Sequence, residues 1–203
     1  MKTVKNVVVL TIITVLAGFL LGYVYDITKG PIADATEKAK QEAYKSVFAS
    51  ATSFEEVAGF DSTAATSIAT STGISGVSVD EALEAKDASG NVLGYVLTVT
   101  SSEGYGGDVT LSMGVANDGT INGIEFLSLS ETAGLGMNAD TDEFKSQFAG
   151  MNVASVSFTK TGKQSDYEID AISGATITTT AVTNAVNAGL SYFGTLSGGA
   201  TNE

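Results

Sequence analysis

A chain of 203 residues with no Cys, no His and a net charge of -13 at pH 7 has room for one membrane anchor and one folded domain, and it lacks the usual ligands for zinc, copper, iron-sulfur clusters and haem. The same absences remove Cys and His nucleophiles, the Ser-His-Asp arrangement and any disulfide framework, so a redox centre here has to be organic. All ten cations are Lys, dispersed among 23 acidic residues, and no nucleic acid partner is expected where phosphates find no basic cluster. The acids show no EF-hand spacing, and no metal site is assigned.

Residues 7–25, VVVLTIITVLAGFLLGYVY, form an uncharged run long enough to cross a bilayer as a helix. Lys2 and Lys5 precede it and Asp26 follows, so the positive-inside tendency predicts residues 1–6 in the cytoplasm and everything after the span outside. A cleavable signal peptide is the competing reading, since Ala33-Asp34-Ala35 resembles a cleavage site, but that site lies far from the apolar run. The expected localisation is therefore the plasma membrane, with a single pass. Gly18 and Gly22 make a small-xxx-small pair that suits packing on a neighbouring membrane helix.

Residues 26–80 read as a helical and linker region. Ala35, Ala39, Ala43 and Val47 recur at four-residue steps, which predicts a helix over 33–50, with Pro31 in its first turn or at a short break after the anchor. Residues 62–78, rich in Ser, Thr, Ala and Gly, fit a loop or a weakly specified helix. Strand patterns follow at 82–86 and 92–100, joined by a hairpin at 87–91, and at 109–115 and 121–127, joined by Asn117-Asp118-Gly119. A further strand is expected over 152–158. From Thr176 to Phe193 the period changes, with Val182, Val186, Leu190 and Phe193 on one helical face. The fold class is α+β: an N-terminal transmembrane helix, then one domain at 81–195 with an antiparallel sheet and flanking helices, then a tail at 196–203.

The segment Asp170-Ala171-Ile172-Ser173-Gly174-Ala175-Thr176 sits just ahead of the last helix. Helix N-termini leave N-H groups unpaired, Gly174 and Ala175 permit close approach to the backbone, and Ser173, Thr176, Thr178 and Thr179 bring hydroxyls, so the place suits a phosphate. Local physics equally allows a Ser/Thr-rich helix cap with no ligand.

These seven residues match the D-x-x-S/T-G-A-T motif, and the chain resembles the FMN-binding domains of the G subunit of Rnf complexes and of the C subunit of sodium-pumping NADH:quinone reductase. In that family a flavin transferase joins FMN through its phosphate to the final Thr hydroxyl, which implies Thr176 as the covalent attachment point. The resemblance covers roughly residues 92–190. It includes Gly104-Tyr105-Gly106-Gly107 and the stretch Glu131-Thr132-Ala133-Gly134-Leu135-Gly136, similar to a family E-T-P-G-L-G loop in which Ala133 replaces Pro. By resemblance, Glu131, Thr132, Gly134, Leu135 and Gly136 lie near the flavin ring and Asp170 serves recognition by the transferase, while local physics makes Asp170 a turn or helix-entry acceptor. Tyr105 and Tyr167 are candidates for stacking on the ring or for ordinary amphipathic packing.

The implied function is electron transfer: a subunit carrying covalent FMN within a membrane complex that couples ferredoxin:NAD electron transfer to Na or H translocation. The expected partners are the other membrane subunits and a flavin transferase for maturation, and no residue is assigned to catalysis. The alternatives are the C subunit of the quinone reductase, a stand-alone extracytoplasmic flavoprotein reductase, and a cofactor-free surface binding module.

Overall fold

A computed structural model of the chain describes residues 2–198. The sequence reading for Met1 and for residues 199–203 of the tail lies outside the described residues. The chain divides into two compact units between Gln41 and Glu42.

Helix α1 runs over Lys2–Val47. Its apolar side chains from Val4 to Ile32 are exposed, and it is long and apolar enough to cross a membrane by length and composition. The helix expected to begin near Ala33 after a break is instead continuous with the anchor, and Pro31 lies inside it. Proline removes one amide donor from the ladder, and the helix-forming sequence on both sides carries the helix past that single loss.

From Glu42 onward the chain builds a five-stranded antiparallel meander in the order β1 (Ser53–Glu56), β2 (Val77–Lys86), β3 (Val92–Ser101), β4 (Val109–Ala116) and β5 (Ile121–Leu129). Both expected hairpins are present. Asp87 Oδ1 accepts the Ser89 and Asn91 amides at 2.8 and 2.9 Å, and Asp118 Oδ1 accepts the Thr120 amide at 2.9 Å, with Gly90 and Gly119 supplying positive φ. Residues 62–78 divide between helix α2 (Ser62–Ser71), capped by Asp61, and the start of β2. Residues 42–80, set apart from the 81–195 domain in the sequence reading, thus supply β1, α2 and the first four residues of β2 to the same unit.

Alternation along the strands gives the sheet two covered faces. Val79, Leu97, Val99, Leu111, Met113 and Val115 point into the main core beneath α2 and helix α4 (Thr176–Leu196). On the other face Tyr44, Val47 and Phe48 at the end of α1 pack on Leu83, Ala85 and Val96. A polar row Glu81, Thr98, Ser112, Glu125 crosses the strands in register there. The Tyr44 hydroxyl donates to Glu81, and the buried Thr98 and Ser112 hydroxyls pair at 3.3 Å, so these buried hydroxyls are satisfied.

After β5 come a 3-10 turn (Gly136–Asp140) and the short helix α3 (Asp142–Lys145). Lys145 bonds Glu125 at 2.8 Å and Asp140 at 3.1 Å. Partial burial pulls its pKa down, but the two carboxylates outweigh that and hold it above the ordinary lysine value. The strand expected over 152–158 shrinks to β6 (Ser157–Thr159), which pairs in parallel with β7 (Glu168–Asp170). Upstream of β6 the backbone of Val156 is bonded on both sides by the Asn187 side chain, at 2.7 and 2.8 Å, so a side-chain amide replaces a sheet ladder.

A Cβ on Gly114 would run into the Val47 carbonyl oxygen, a backbone atom with no rotamer to yield. Gly114→Ala is expected to destabilise the sheet–α1 contact by about 1–3 kcal/mol, the usual cost of overpacking. Chemical denaturation of the full chain in detergent checks this, and an unchanged midpoint would contradict it.

Candidate functional site

Helix α4 buries twelve residues, among them Ala181, Val182, Ala185, Val186 and Leu190. That burial sets where its N-terminus emerges. The chain reaches it through a turn in which the Ala171 amide donates to the Thr159 carbonyl at 2.8 Å and the Ala175 amide to the Ile172 carbonyl at 3.1 Å. Gly174 takes φ +74° in that turn, a conformation that disfavours side chains.

The helix begins without a side-chain cap. Ala175 occupies the N-cap position, so the Ser/Thr-capped entrance that local physics allowed is absent. The first intrahelical bond is Thr179 N to Ala175 O at 3.0 Å, and the residues before it have no helical carbonyl behind them. This divides the threonines of α4 by position. Thr179, Thr180 and Thr183 spend their hydroxyls on the carbonyls four residues back, at 3.0, 2.8 and 2.8 Å. Among the described residues, the Thr176 and Thr178 hydroxyls meet no hydrogen-bond partner, and both residues face a cleft.

The cleft holds about 470 Å³ and is lined by Tyr105, Glu131, Thr132, Leu135, Gly136, Gly174, Ala175, Thr176, Ile177 and Thr178. Its volume falls in the range of small-molecule sites. Two sequence-distant segments, 131–136 and 174–178, meet across Gly136, where an added Cβ would lie 2.5 Å from Thr178 Oγ1 and 2.6 Å from Glu131 Oε2. Glu131 Oε1 accepts the Tyr105 amide at 2.8 Å and the Gly106 amide at 3.4 Å, so the carboxylate is a backbone staple for the loop that carries Tyr105. Glu103 holds the same loop from the other side by accepting from Asn184 of α4 at 3.0 Å.

Outside α1, the exposed large apolar side chains are Tyr105 (71% exposed), Leu135 (43%), Ile177 (52%) and Tyr167, and the first three share the cleft. An exposed apolar cluster beside unpaired hydroxyls and free helix N-H groups matches a ligand with a flat apolar part and an anionic end. Among the described residues no lysine lines the cleft.

The structure therefore brings together Tyr105, Glu131, Thr132, Leu135, Gly136, Gly174, Ala175, Thr176 and Thr178 of the residues expected from sequence. Thr179 is fully buried, and its hydroxyl both binds the Ala175 carbonyl and accepts the Ile172 amide at 3.1 Å, which makes it a structural residue. Gly134 supplies the turn at φ +75° without lining the cleft. Ser173 and Asp170 line a separate notch of about 220 Å³. Tyr167 is exposed and stands outside the cleft. Sequence reasoning missed Ile177, whose one signal is an apolar side chain between two threonines off the buried helical face.

The family model described as the FMN-binding domain matches residues 104–191, which contain the whole cleft lining. The G subunit of the ion-translocating oxidoreductase complex of Methanosarcina acetivorans is 34% identical over 93% of both chains. The G subunit of the Na(+)-translocating ferredoxin:NAD(+) oxidoreductase complex of Acetobacterium woodii is 32% identical over 93% of this chain and 90% of that one. In fold, the crystal structure of Shewanella oneidensis NqrC superposes with a TM-score of 0.50 at 21% identity, over 60% of this chain and 62% of that chain. This chain belongs to the family of G subunits of ion-translocating oxidoreductase complexes, and with its apolar N-terminal helix it is membrane-anchored.

Replacing Gly174 tests the turn. A Cβ there would stand 3.1 Å from Leu135 Cδ2 at a φ that a branched side chain avoids, so Gly174→Val is expected to lose about 1–3 kcal/mol of stability. Thermal unfolding of the full chain reads the loss, and a melting temperature equal to wild type would count against the geometry.

Proposed function

We propose that the chain is an electron-transfer subunit carrying FMN as a phosphodiester on Thr176 Oγ1, with its domain outside the cytoplasm and its anchor among the other subunits of an ion-translocating ferredoxin:NAD oxidoreductase complex. The observation that carries this reading is the hydroxyl of Thr176: it stands in the first turn of an uncapped helix, without a hydrogen-bond partner among the described residues, in a cleft that also exposes Tyr105, Leu135 and Ile177. The names of the relatives, matched over nearly their full length, support assembly into such a complex.

The residues present fit the cofactor. The unpaired first-turn N-H groups and the Thr178 hydroxyl would hold the phosphate, Gly174 gives room at the backbone, and Leu135, Ile177 and Tyr105 would flank the flavin ring. When bound, a flavin accepts electrons singly or in pairs. The chain would hold the group, shield one side of it and keep it from diffusing away. A covalent bond matters in this cleft because no lysine supplements the amide donors, and a tether keeps occupancy complete whatever the noncovalent affinity. Esterification by FMN itself would have to expel hydroxide, so the reading requires an anhydride donor such as a flavin dinucleotide and a transferase. The Thr176 Oγ1–P bond forms, the donor's P–O bond to its departing nucleoside monophosphate breaks, and the hydroxyl proton leaves to that anion or to buffer.

Coexpression of the full chain with a flavin transferase, followed by denaturing electrophoresis, tests the attachment. Wild type should give a fluorescent band and Thr176→Val none; a colourless wild-type band would sink the proposal, and a labelled variant would move the attachment elsewhere. Orientation has its own test: a topology reporter should read cytoplasmic at residue 1 and extracytoplasmic at residue 203, and a cytoplasmic signal at both ends would overturn it.

A further inference from the structure

The cleft walls come from segments far apart in sequence, and one side chain outside the cleft ties them together. The 131–136 wall runs on through the 3-10 turn and α3 to Gln147. Phe144 and Phe148, 4% and 0% exposed, plug the core on either side of Gln147 and meet edge-on with ring centroids 5.7 Å apart. Lys145, pinned to Glu125, fixes the same stretch to β5. The backbone under Gln147 is thereby held.

From that base Gln147 Oε1 accepts the Asp170 amide at 2.6 Å, and its Nε2 donates to the Asp170 carbonyl at 3.4 Å. Strand β7 is hydrogen-bonded to β6 along one edge only. The Gln147 amide occupies the other edge, doing for Asp170 what a third strand would do. The Asp170 carboxylate is engaged locally, accepting the Lys163 amide at 2.6 Å. Downstream, the amides of the 171–176 segment make three bonds, from Ala171 to Thr159 O, Ile172 to Thr179 Oγ1 and Ala175 to Ile172 O. The Gln147 pair thus stands at the entry of a short, sparsely bonded turn whose end presents Thr176.

We infer that Gln147 is a positioning residue for flavin attachment: by holding the Asp170 backbone to the segment that continues from the 131–136 wall, it sets where the Thr176 hydroxyl stands relative to the rest of the cleft. This rests on the covalent-flavin reading above. Gln147 lies 23 residues from Asp170 and lines the 220 Å³ notch beside the cleft, so it acts on Thr176 through the backbone and touches no part of the cleft itself.

The test labels the full-length chain in detergent with a flavin transferase and a flavin dinucleotide, reading band fluorescence against time and chain concentration. Gln147→Met keeps the length and removes donor and acceptor. It should lower kcat for labelling by about 10-fold or more, the scale of a small misplacement of a reacting group, with KM for the chain little changed. Hydrogen exchange at the Asp170 amide should quicken in the same variant. Labelling at the wild-type rate would overturn the inference, as would a defect confined to KM, which would make Gln147 a transferase contact. If the Met variant does not fold, Gln147→Glu decides, because it keeps the acceptor of the shorter bond but sets an oxygen in place of the donor against the Asp170 carbonyl: a lowered kcat in the folded Glu variant supports the role, and labelling at the wild-type rate overturns it. A wild-type chain that stays unlabelled defeats the covalent reading itself, a result separate from any difference between the variants.

Discussion

Burial of one face of α4 against the antiparallel sheet is the constraint on which the rest of the domain depends. Twelve buried residues fix the axis and rotation of the helix, and with them the point at which its first turn emerges. Because the entering residue is Ala175 and the turn before it is tight, no side chain reaches back to cap that turn. The first-turn N-H groups and the hydroxyl of Thr176, with that of the buried Thr178 behind it, are left lining a cleft, whereas one turn later the same type of side chain is absorbed by the helix itself. A threonine at 176 and a threonine at 180 differ in chemical availability only because helical carbonyls begin at Ala175.

The acidic groups in and near the cleft hold loops in place, Glu131 and Asp170 through backbone amides and Glu103 through the Asn184 side chain. Glu131 and Glu103 clamp the Tyr105 loop from two sides, and the Asp170 carboxylate closes the 160–165 loop through the Lys163 amide. Committed in this way, these carboxylates stabilise turns by accepting amide protons, a use that a chain with ten lysines and 23 acids can sustain without ion pairs. The consequence for an anionic ligand is a cleft whose attraction comes from amide dipoles and hydroxyls. Such donors orient a phosphate well but hold it less strongly than a lysine cluster would, which is the physical case for the covalent tether proposed above.

The two faces of the sheet are covered by different means. One buries aliphatic side chains under α2 and α4; the other receives the end of α1 over a row of hydroxyls and carboxylates. Gly94 and Gly114 let the α1 end approach the strands closely, and Tyr44 satisfies Glu81. The last residues of α1, from Glu42 onward, are therefore part of the folded unit's own packing.

Much of this was legible in the sequence because it depends on local chemistry. The uncharged run at 7–25, the period-two pattern of β3 to β5, the Asx-Gly turns and the amphipathic face of the last helix each follow from residues close together, and the motif at 170–176 pointed to Thr176 through its resemblance. What the sequence could not determine depends on contacts between distant segments. Whether Pro31 ends a helix, whether 62–71 is helical and whether 152–156 pairs as a strand turn on energies too small to decide locally; the Asn187 side chain and the main core decided the latter two. Likewise only the tertiary structure separated Thr176 and the buried Thr178, whose hydroxyls line the cleft without a partner among the described residues, from Thr179, whose hydroxyl is spent on backbone groups, and placed Glu131 and Gln147 on backbone amides, because a hydrogen bond across 23 or more residues leaves no trace in local sequence.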